Sequence, residues 1–378
     1  MGISGICWTW FAIAPLPVPP SKTSRKSPSV RSTAEFARYV GLARTTVSRV
    51  LNGQPGLKQK TIDRVRKAMD ETGFTLNAYA LHLKGKRMAS IGICMESLFT
   101  PPAVAKLALL QKRMRERGIY SMIEVVDPDG IRGPVRHFLS MRVSAVVFIG
   151  HFNEADITQR IDELSRHGIP HLVVDQAGIA NANTVALDRR RAMAEMTHHL
   201  LGLGHRMFGL LGLTGSPRSV QNRLSGVSEA LVSRGMALER NTLSLDHLHP
   251  RSGDFDFGRS LARSFLGVEK IPTAFIALND EIAVGAIVEF HKAGLRVPED
   301  VSVSGFNNQD ICLMTAPSLT SVDQQIEVTV EEAAEILLAR IGHPAPRRPV
   351  VRTIQPLLIL RGSTGPARPA ALLEGRTG

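Results

Sequence analysis

With 378 residues, 43% of them hydrophobic, the chain is longer than one core usually spans and reads as a folded protein of more than one domain. Three scattered cysteines, Cys7, Cys94 and Cys312, argue against a disulfide scaffold or a zinc cluster and suit a cytoplasmic protein. The net charge of +12 is confined: residues 21–90 hold 15 Lys and Arg against 4 Asp and Glu, so +11 lies in one segment, as in a polyanion-binding domain joined to a neutral one.

Residues 1–31 come first. Ile6 to Pro20 is apolar, but no basic residue precedes it and Pro15, Pro17, Pro19 and Pro20 break any helix. It is also too short to span a membrane. We expect a disordered leader or translated upstream sequence. Ser32, with Glu35 three residues on, forms a capping box that opens a short helix burying Phe36, Ala37 and Val40. Gly41 stops it. Ala43 to Leu51 supplies a second helix with Val47 and Val50 inward, ended at Asn52-Gly53. Gln59 to Thr72 is a third, with Ile62, Val65, Ala68 and Met69 on one face and Gly73 as its cap.

Two short helices across a glycine turn make a helix-turn-helix, whose second helix enters the DNA major groove. Its outward residues are Arg44, Thr45, Ser48 and Arg49. Arginine reads guanine with two hydrogen bonds; threonine and serine reach bases or phosphates. Lys58, Lys60, Arg64 and Arg66 suit phosphate contacts or plain solvated charge. Small basic three-helix domains sometimes bind only protein, but the pattern favours DNA.

The run Thr46-Val47-Ser48-Arg49-Val50-Leu51-Asn52-Gly53, followed by Gly73-Phe74 and Asn77-Ala78, resembles the DNA-binding headpiece of the lactose-repressor family of bacterial transcriptional regulators. The resemblance implies base reading at Arg44 and Thr45, with Arg49 beside them. The DNA-contacting set it gives is Arg44, Thr45, Thr46, Ser48, Arg49, Asn52, Tyr79 and Leu83. Ala43 stands where the family usually has serine or threonine. The resemblance also implies a hinge helix within residues 78–89 that folds when two subunits meet on DNA, with Leu83 wedged into the minor groove. From the residues alone, Leu81 and Leu83 serve equally as linker anchors.

From Ser90 the pattern alternates. Strands are expected at Ser90–Met95, Ser121–Val126, Ala145–Ile149, His171–Asp175, Met207–Leu213, Ala274–Leu278 and Val301–Phe306. Helices are expected at Ala103–Arg117, Asp156–His167, Arg190–Leu203, Gln221–Arg234, Phe255–Leu266, Glu281–Ala293 and Gln325–Arg340. Strands as apolar as Ala145–Ile149 belong in parallel sheets covered on both faces. One sheet, or two lobes with a cleft, both fit this alternation. Gly202-Leu203-Gly204-His205, Asn279-Asp280 with Gly285, Val301 to Phe306 and Leu319 to Gln324 resemble the two-lobed domain of the same family, itself similar to periplasmic sugar-binding proteins. The expected fold is therefore an all-α helix-turn-helix headpiece, residues 32–77, followed by an α/β two-lobed domain with parallel sheets, residues 90–361. By the resemblance, lobe 1 takes 90–188 and 321–343, and lobe 2 takes 189–320 and 344–361. Residues 362–378, rich in Gly, Pro, Ala and Arg, are expected to be a disordered tail.

No phosphate-binding glycine loop or nucleophile elbow occurs in the sequence. The adjacent His198 and His199 point apart, and no carboxylate pair has a catalytic context. His247 and His249 are spaced to chelate but read as loop residues. We therefore expect no enzyme, metal or cofactor. Polar groups at the carboxyl ends of parallel strands converge instead on a ligand cleft. The resemblance places an effector at Ser97, Phe99, Asp175, Arg223, Asn279, Asn307 and Gln324. Read without it, Asp175 and Asn279 serve as helix caps or turn residues, and Arg223 as half of a surface pair. Asn307 replaces an aspartate usual in the family, exchanging a pure acceptor for a mixed donor and acceptor. Glu96 to Pro102 keeps one displaced aromatic, Phe99, and Phe152 is a candidate replacement ring.

The implied effector is a small polar metabolite, a sugar or sugar acid. The resemblance further implies a repressing homodimer on a near-palindromic double-stranded operator, with no membrane partner. Val104, Leu107, Ala108 and Leu110 offer surplus apolar surface for that dimer or for the core. No C-terminal heptad helix is evident, which argues against a tetramer. The competing reading is a small-molecule-binding module or enzyme whose basic end only meets RNA or acidic protein.

Overall fold

The computed structural model describes residues 32–51, 54–74, 89–126, 130–215, 217–245, 254–343 and 348–368. The expected leader, the hinge, Asn52, Tyr79 and Leu83 lie outside these residues. The chain divides after Met88 into two compact units.

The first unit holds α1 (Thr33–Val40), α2 (Arg44–Leu51) and α3 (Gln59–Thr72). The Ser32 hydroxyl accepts the Glu35 N–H at 3.2 Å, the expected N-cap. Gly41, at φ 67°, turns its own N–H back to the carbonyls of Ala37 and Arg38 and ends α1. Phe36, Ala37, Val40, Val47, Val65, Ala68 and Phe74 form the core, with Val50 and Met69 at its edge. The Phe36 and Phe74 rings stack 4.2 Å apart.

The second unit contains two six-stranded sheets. The first runs β11 (Val351–Ile354), β5 (Asn183–Leu187), β4 (His171–Val174), β3 (Ala145–Ile149), β1 (Ser90–Met95), β2 (Tyr120–Val125), all parallel. The second runs β12 (Leu357–Ile359), β10 (Thr320–Asp323), β9 (Ser302–Asn307), β8 (Ala274–Ala277), β6 (Phe208–Leu211), β7 (Thr242–Ser244). Only β12 is antiparallel in that sheet. Central strands are buried on both faces, as their unbroken apolar runs require.

Two expected boundaries need correction. Residues 321–323, expected in lobe 1, belong to β10, which pairs with β9 in the second sheet, Thr320 opposite Ser304 through Asp323 opposite Asn307. Of residues 344–361, expected in lobe 2, β11 pairs instead with β5 in the first sheet, whereas β12 does pair with β10 in the second. The hydrogen-bonded ladders, not the motif boundaries, fix the lobes. The chain crosses between them near Asp188, near Gln324 and near Gln355. After the second crossing, the Ile326–Arg340 helix packs on the Pro101–Glu116 helix of the first lobe.

The expected disordered tail also needs correction, up to Arg368. Ser363 is fully buried. Its carbonyl accepts from Val303 N–H at 2.9 Å and its hydroxyl from Thr320 N–H at 2.8 Å. His205 Nε2 lies 3.0 Å from the Gly365 carbonyl and 3.0 Å from Ser302 Oγ, while its Nδ1 lies 2.9 Å from Thr273 Oγ1. Ala367 N–H donates to the Leu203 carbonyl at 2.8 Å. Composition concealed this because the tail contributes backbone groups rather than apolar side chains. Removing residues 363–378 strips partners from several buried polar groups, at about 1–3 kcal/mol for each one left unmet. We expect urea unfolding of the truncated chain to show a loss of about 3 kcal/mol or more; an unchanged midpoint would mean the tail carries no stability.

Candidate functional site

In the first unit, Arg44 and Thr45 are exposed in the opening turn of α2, while Val47 one turn on is fully buried. Thr45, two residues before the inward Val47, lies on the opposite side of the helix from it, and Arg44 is exposed as the first residue of α2. Thr46 and Ser48 are half-buried. Arg49 is exposed, but its Nη2 donates to the Pro55 carbonyl at 3.2 Å and braces the loop after α2. Lys58, Lys60, Arg64 and Arg66 are exposed.

In the second unit, the polar centre is a residue the sequence reading missed. Lys106 lies on the Pro101–Glu116 helix and is 2% exposed. Ala103 and Leu110, one turn either side, face the same core, so the lysine is turned inward with them. Its ammonium pairs with Asp175 Oδ1 and donates to Gln324 Oε1 at 2.8 Å. Asp175 follows β4 with φ 80° and is 6% exposed. Arg189, just past the first lobe crossing, donates from Nη1 to the Asp175 carbonyl at 2.8 Å and reaches its carboxylate at 3.4 Å. Gln324, at the second crossing, donates from Nε2 to Asn307 Oδ1. A continuous polar line, Arg189–Asp175–Lys106–Gln324–Asn307, therefore links the ends of strands from both sheets.

Arg223 stands beside this line and is 7% exposed. Its Nη1 donates to the Ser219 carbonyl at 3.1 Å, and its guanidinium carbon lies 4.3 Å from the centre of the Phe306 ring. Among the described residues its Nε has no hydrogen-bond partner. Glu96 Oε2 accepts the His151 N–H at 2.7 Å. Gly150, at φ 127°, permits this approach: a Cβ there would sit 2.5 Å from the Glu96 Cβ. An exposed Arg218–Glu154 ion pair at 3.0 Å joins the two lobes.

The electrostatics follow from burial and from an excess of cations. Burial opposes ionisation of Asp175, but the Lys106 and Arg189 charges overcome it and hold the carboxyl at about 2. Burial and the Arg189 charge lower Lys106, against the pull of Asp175. Burial, then Arg189, brings Arg223 down to about 9. Burial, then Arg189, brings His151 down to about 3. Desolvation, and the Asp175 charge, raise Glu96. A histidine depressed in this way adds stability above its unfolded pKa of about 6.5. That contribution is lost as pH falls from there toward 3. We expect His151→Gln to show a shallower loss of unfolding free energy over that window; an unchanged slope would mean the imidazole is not held neutral.

Of the expected effector residues, the structure brings together Asp175, Asn307 and Gln324, with Arg223 alongside. It does not bring in the others. Ser97 Oγ accepts the Phe99 N–H at 3.0 Å, and Phe99 is 96% exposed. Both ends of the Asn279 amide are engaged: Oδ1 caps Ile282 N–H at 2.9 Å and Nδ2 donates to Asp254 at 2.6 Å. Phe152, the candidate replacement ring, is a core residue packed edge-on against Phe148. Leu107 and Leu110 are likewise taken by the core, leaving Val104 and Ala108 outward. His198 is exposed and His199 contacts Thr364, so the two histidines do diverge; His247 and His249 lie outside the described residues. Among the described residues there is no cluster of three or more His, Cys, Asp or Glu suited to a metal, and no helix long and apolar enough to cross a membrane.

Comparison with known proteins adds to this geometry. Residues 34–77 match the model of bacterial regulatory proteins of the lacI family, and residues 197–364 match the periplasmic binding protein-like domain. The HTH-type transcriptional regulator DegA of Bacillus subtilis is 28% identical over 337 residues, covering 88% of this chain and 97% of that protein. The lactose operon repressor of Escherichia coli is 26% identical, over 80% of this chain and 83% of its own length. Among solved structures, the lac repressor dimer bound to operator and the anti-inducer ONPF superposes with a TM-score of 0.74 at 24% identity, covering 89% of this chain and 99% of that one. The transcriptional regulator CelR in complex with cellobiose gives 0.63 at 23% identity, covering 88% and 100%.

Proposed function

We propose that this chain, which belongs to the lacI family of bacterial regulatory proteins, is a sequence-specific DNA-binding repressor whose operator affinity is set by a small sugar-like metabolite held between its two lobes. The observation that carries the reading is the pairing of an exposed reading turn, Arg44-Thr45, with a buried polar line that crosses from lobe to lobe through Lys106, Asp175, Gln324 and Asn307.

In this reading, Arg44 and Thr45 contact base edges, Thr46, Ser48 and Asn52 support them on the backbone, and Arg49 positions the loop that follows. Tyr79 and Leu83 act in a hinge, Leu83 as the minor-groove wedge. The protein works as a homodimer on a near-palindromic site, as the lac repressor does in its dimeric operator complex. A ligand entering the cleft meets donors and acceptors already bonded to one another. It must exchange with them, and because the line joins both lobes, that exchange shifts one lobe on the other. Related structures hold cellobiose and ribose, which supports a ligand of that size and polarity. No catalytic role is assigned to any side chain, and no cofactor is invoked.

The test is genome-wide footprinting followed by mobility shifts on the recovered sites. Protected near-palindromes bound with a steep inverse salt dependence support the reading. Equal affinity for those sites and for random duplex would remove it in favour of a module that only associates with polyanions.

A further inference from the structure

We infer that the cleft is built for an anionic sugar derivative, one bearing a carboxylate or a phosphate, whose negative charge seats on Arg223 with Lys106 beside it. The inference rests on the ligand-controlled reading above for what the cleft does, and adds the chemistry of what enters it.

The charges are unequal. Three cations, Lys106, Arg189 and Arg223, are buried together, each at most 7% exposed. Asp175 is the one buried carboxylate among the groups acting on them, and it is already shared by Lys106 and Arg189. Glu96, exposed at the edge of the group, acts on Arg189 rather than on Arg223 and bonds the His151 N–H. Asp323, next along the chain from Gln324, is turned to the Asn308 amide and the Gln325 N–H. Arg223 is thus the cation for which the described residues supply no carboxylate. Burying a guanidinium without an anion is costly unless something in the working state offsets it.

The geometry of Arg223 favours a planar or tetrahedral anion over a hydroxyl. Of its five N–H bonds one is directed to the Ser219 carbonyl, and Nε is unmatched among the described residues. The Phe306 ring lies against the guanidinium, its centre 4.3 Å from the guanidinium carbon, and a carboxylate or phosphate would supply the acceptor that the buried Nε lacks. A neutral sugar supplies lone pairs but no charge, so it would leave the excess uncompensated. Burial already weakens the proton affinity of this guanidinium, bringing it down to about 9, and a bound anion would reverse that.

The test uses the full chain in thermal unfolding and calorimetric titration. The probes are sodium phosphate, D-gluconate, D-glucuronate and D-glucose 6-phosphate, each set against D-glucose and against sodium chloride of equal ionic strength. At least one anion is expected to raise the unfolding midpoint by about 3 °C or more over the chloride control. It should also bind about tenfold or more tighter than D-glucose. Whether gluconate and glucuronate or the two phosphates do so identifies the anion. Arg223→Met should abolish the effect, and Arg223→Lys, which keeps the charge without the fork, should retain part of it. If all four anions behave as chloride does, or if D-glucose matches them, the inference is overturned, and this wild-type arm stands even if the variants fold poorly. Operator affinity in the same preparation separates the two readings. Anion binding that leaves operator affinity untouched removes the regulatory reading and spares the anionic site; control by D-glucose alone does the reverse.

Discussion

Arg44→Ala is expected to weaken binding to the footprinted operator by about 5- to 150-fold, the equivalent of the 1–3 kcal/mol that a well-placed base contact contributes. Its melting temperature should not move. Arg44 is exposed and begins α2, whereas the headpiece core rests on Phe36, Val40, Val47, Val65 and Phe74, none of which it touches through a described hydrogen bond. Arg49→Ala provides the contrast. Its guanidinium holds the Pro55 carbonyl, so its loss should lower both affinity and headpiece stability. Mobility shifts and circular dichroism melts on the two variants check this directly. If Arg44→Ala reduces affinity for random duplex as much as for the operator, Arg44 is a phosphate contact and not a reader.

Asp175→Ala is expected to be among the most destabilising single changes in the two-lobed unit, costing about 3–5 kcal/mol. It leaves Lys106 and Arg189 buried without their shared carboxylate, next to a third cation, Arg223. Lys106→Met should cost less than half as much. It removes one of the crowded cations, keeps the volume of the side chain, and leaves Asp175 paired to Arg189. What it does forfeit is the donor to Gln324, one of the links between the lobes. Urea unfolding of the two variants ranks them. Equal losses would mean that Lys106 and Asp175 matter to each other alone and that the Arg189 contact contributes nothing.

The headpiece was the most legible part of the chain because its determinants are local. Ser32 with Glu35, Gly41 and the spacing of Phe36, Ala37 and Val40 define α1 within ten residues, and the folded unit follows them. The parallel strands were legible for a related reason: strands such as β3, buried on both faces, must be apolar throughout. What escaped was non-local. β11 and β12 are four- and three-residue edge strands whose sheet is decided by partners far earlier in the chain, Asn183–Leu187 and Thr320–Asp323. The Arg132–Ser140 helix, with a glycine and a proline in its first turn, carries too weak a pattern to stand out. Where the two lobes meet, Asp175, Arg223, Asn307 and Gln324 are legible through resemblance, but Lys106 is not, since its partners stand 69 and 218 residues away. A lone lysine inside the apolar run Ala103 to Leu110 was the available signal. Asn279 shows the opposite case: a residue ending a strand before a helix was doing what that position most often demands, capping the helix.

The proposed function requires one coupling, between what the lobes hold and how tightly α2 holds DNA. The direct measurement is the operator affinity of the full chain, with and without the substrates and products of the enzymes encoded beside its footprinted sites. At least one such metabolite should change that affinity by about fivefold or more, in the range of an ordinary allosteric coupling of 1–3 kcal/mol, and Arg223→Met should abolish the change while binding the operator as the wild type does. An operator affinity indifferent to every one of those metabolites, or a response that survives in Arg223→Met, would contradict it.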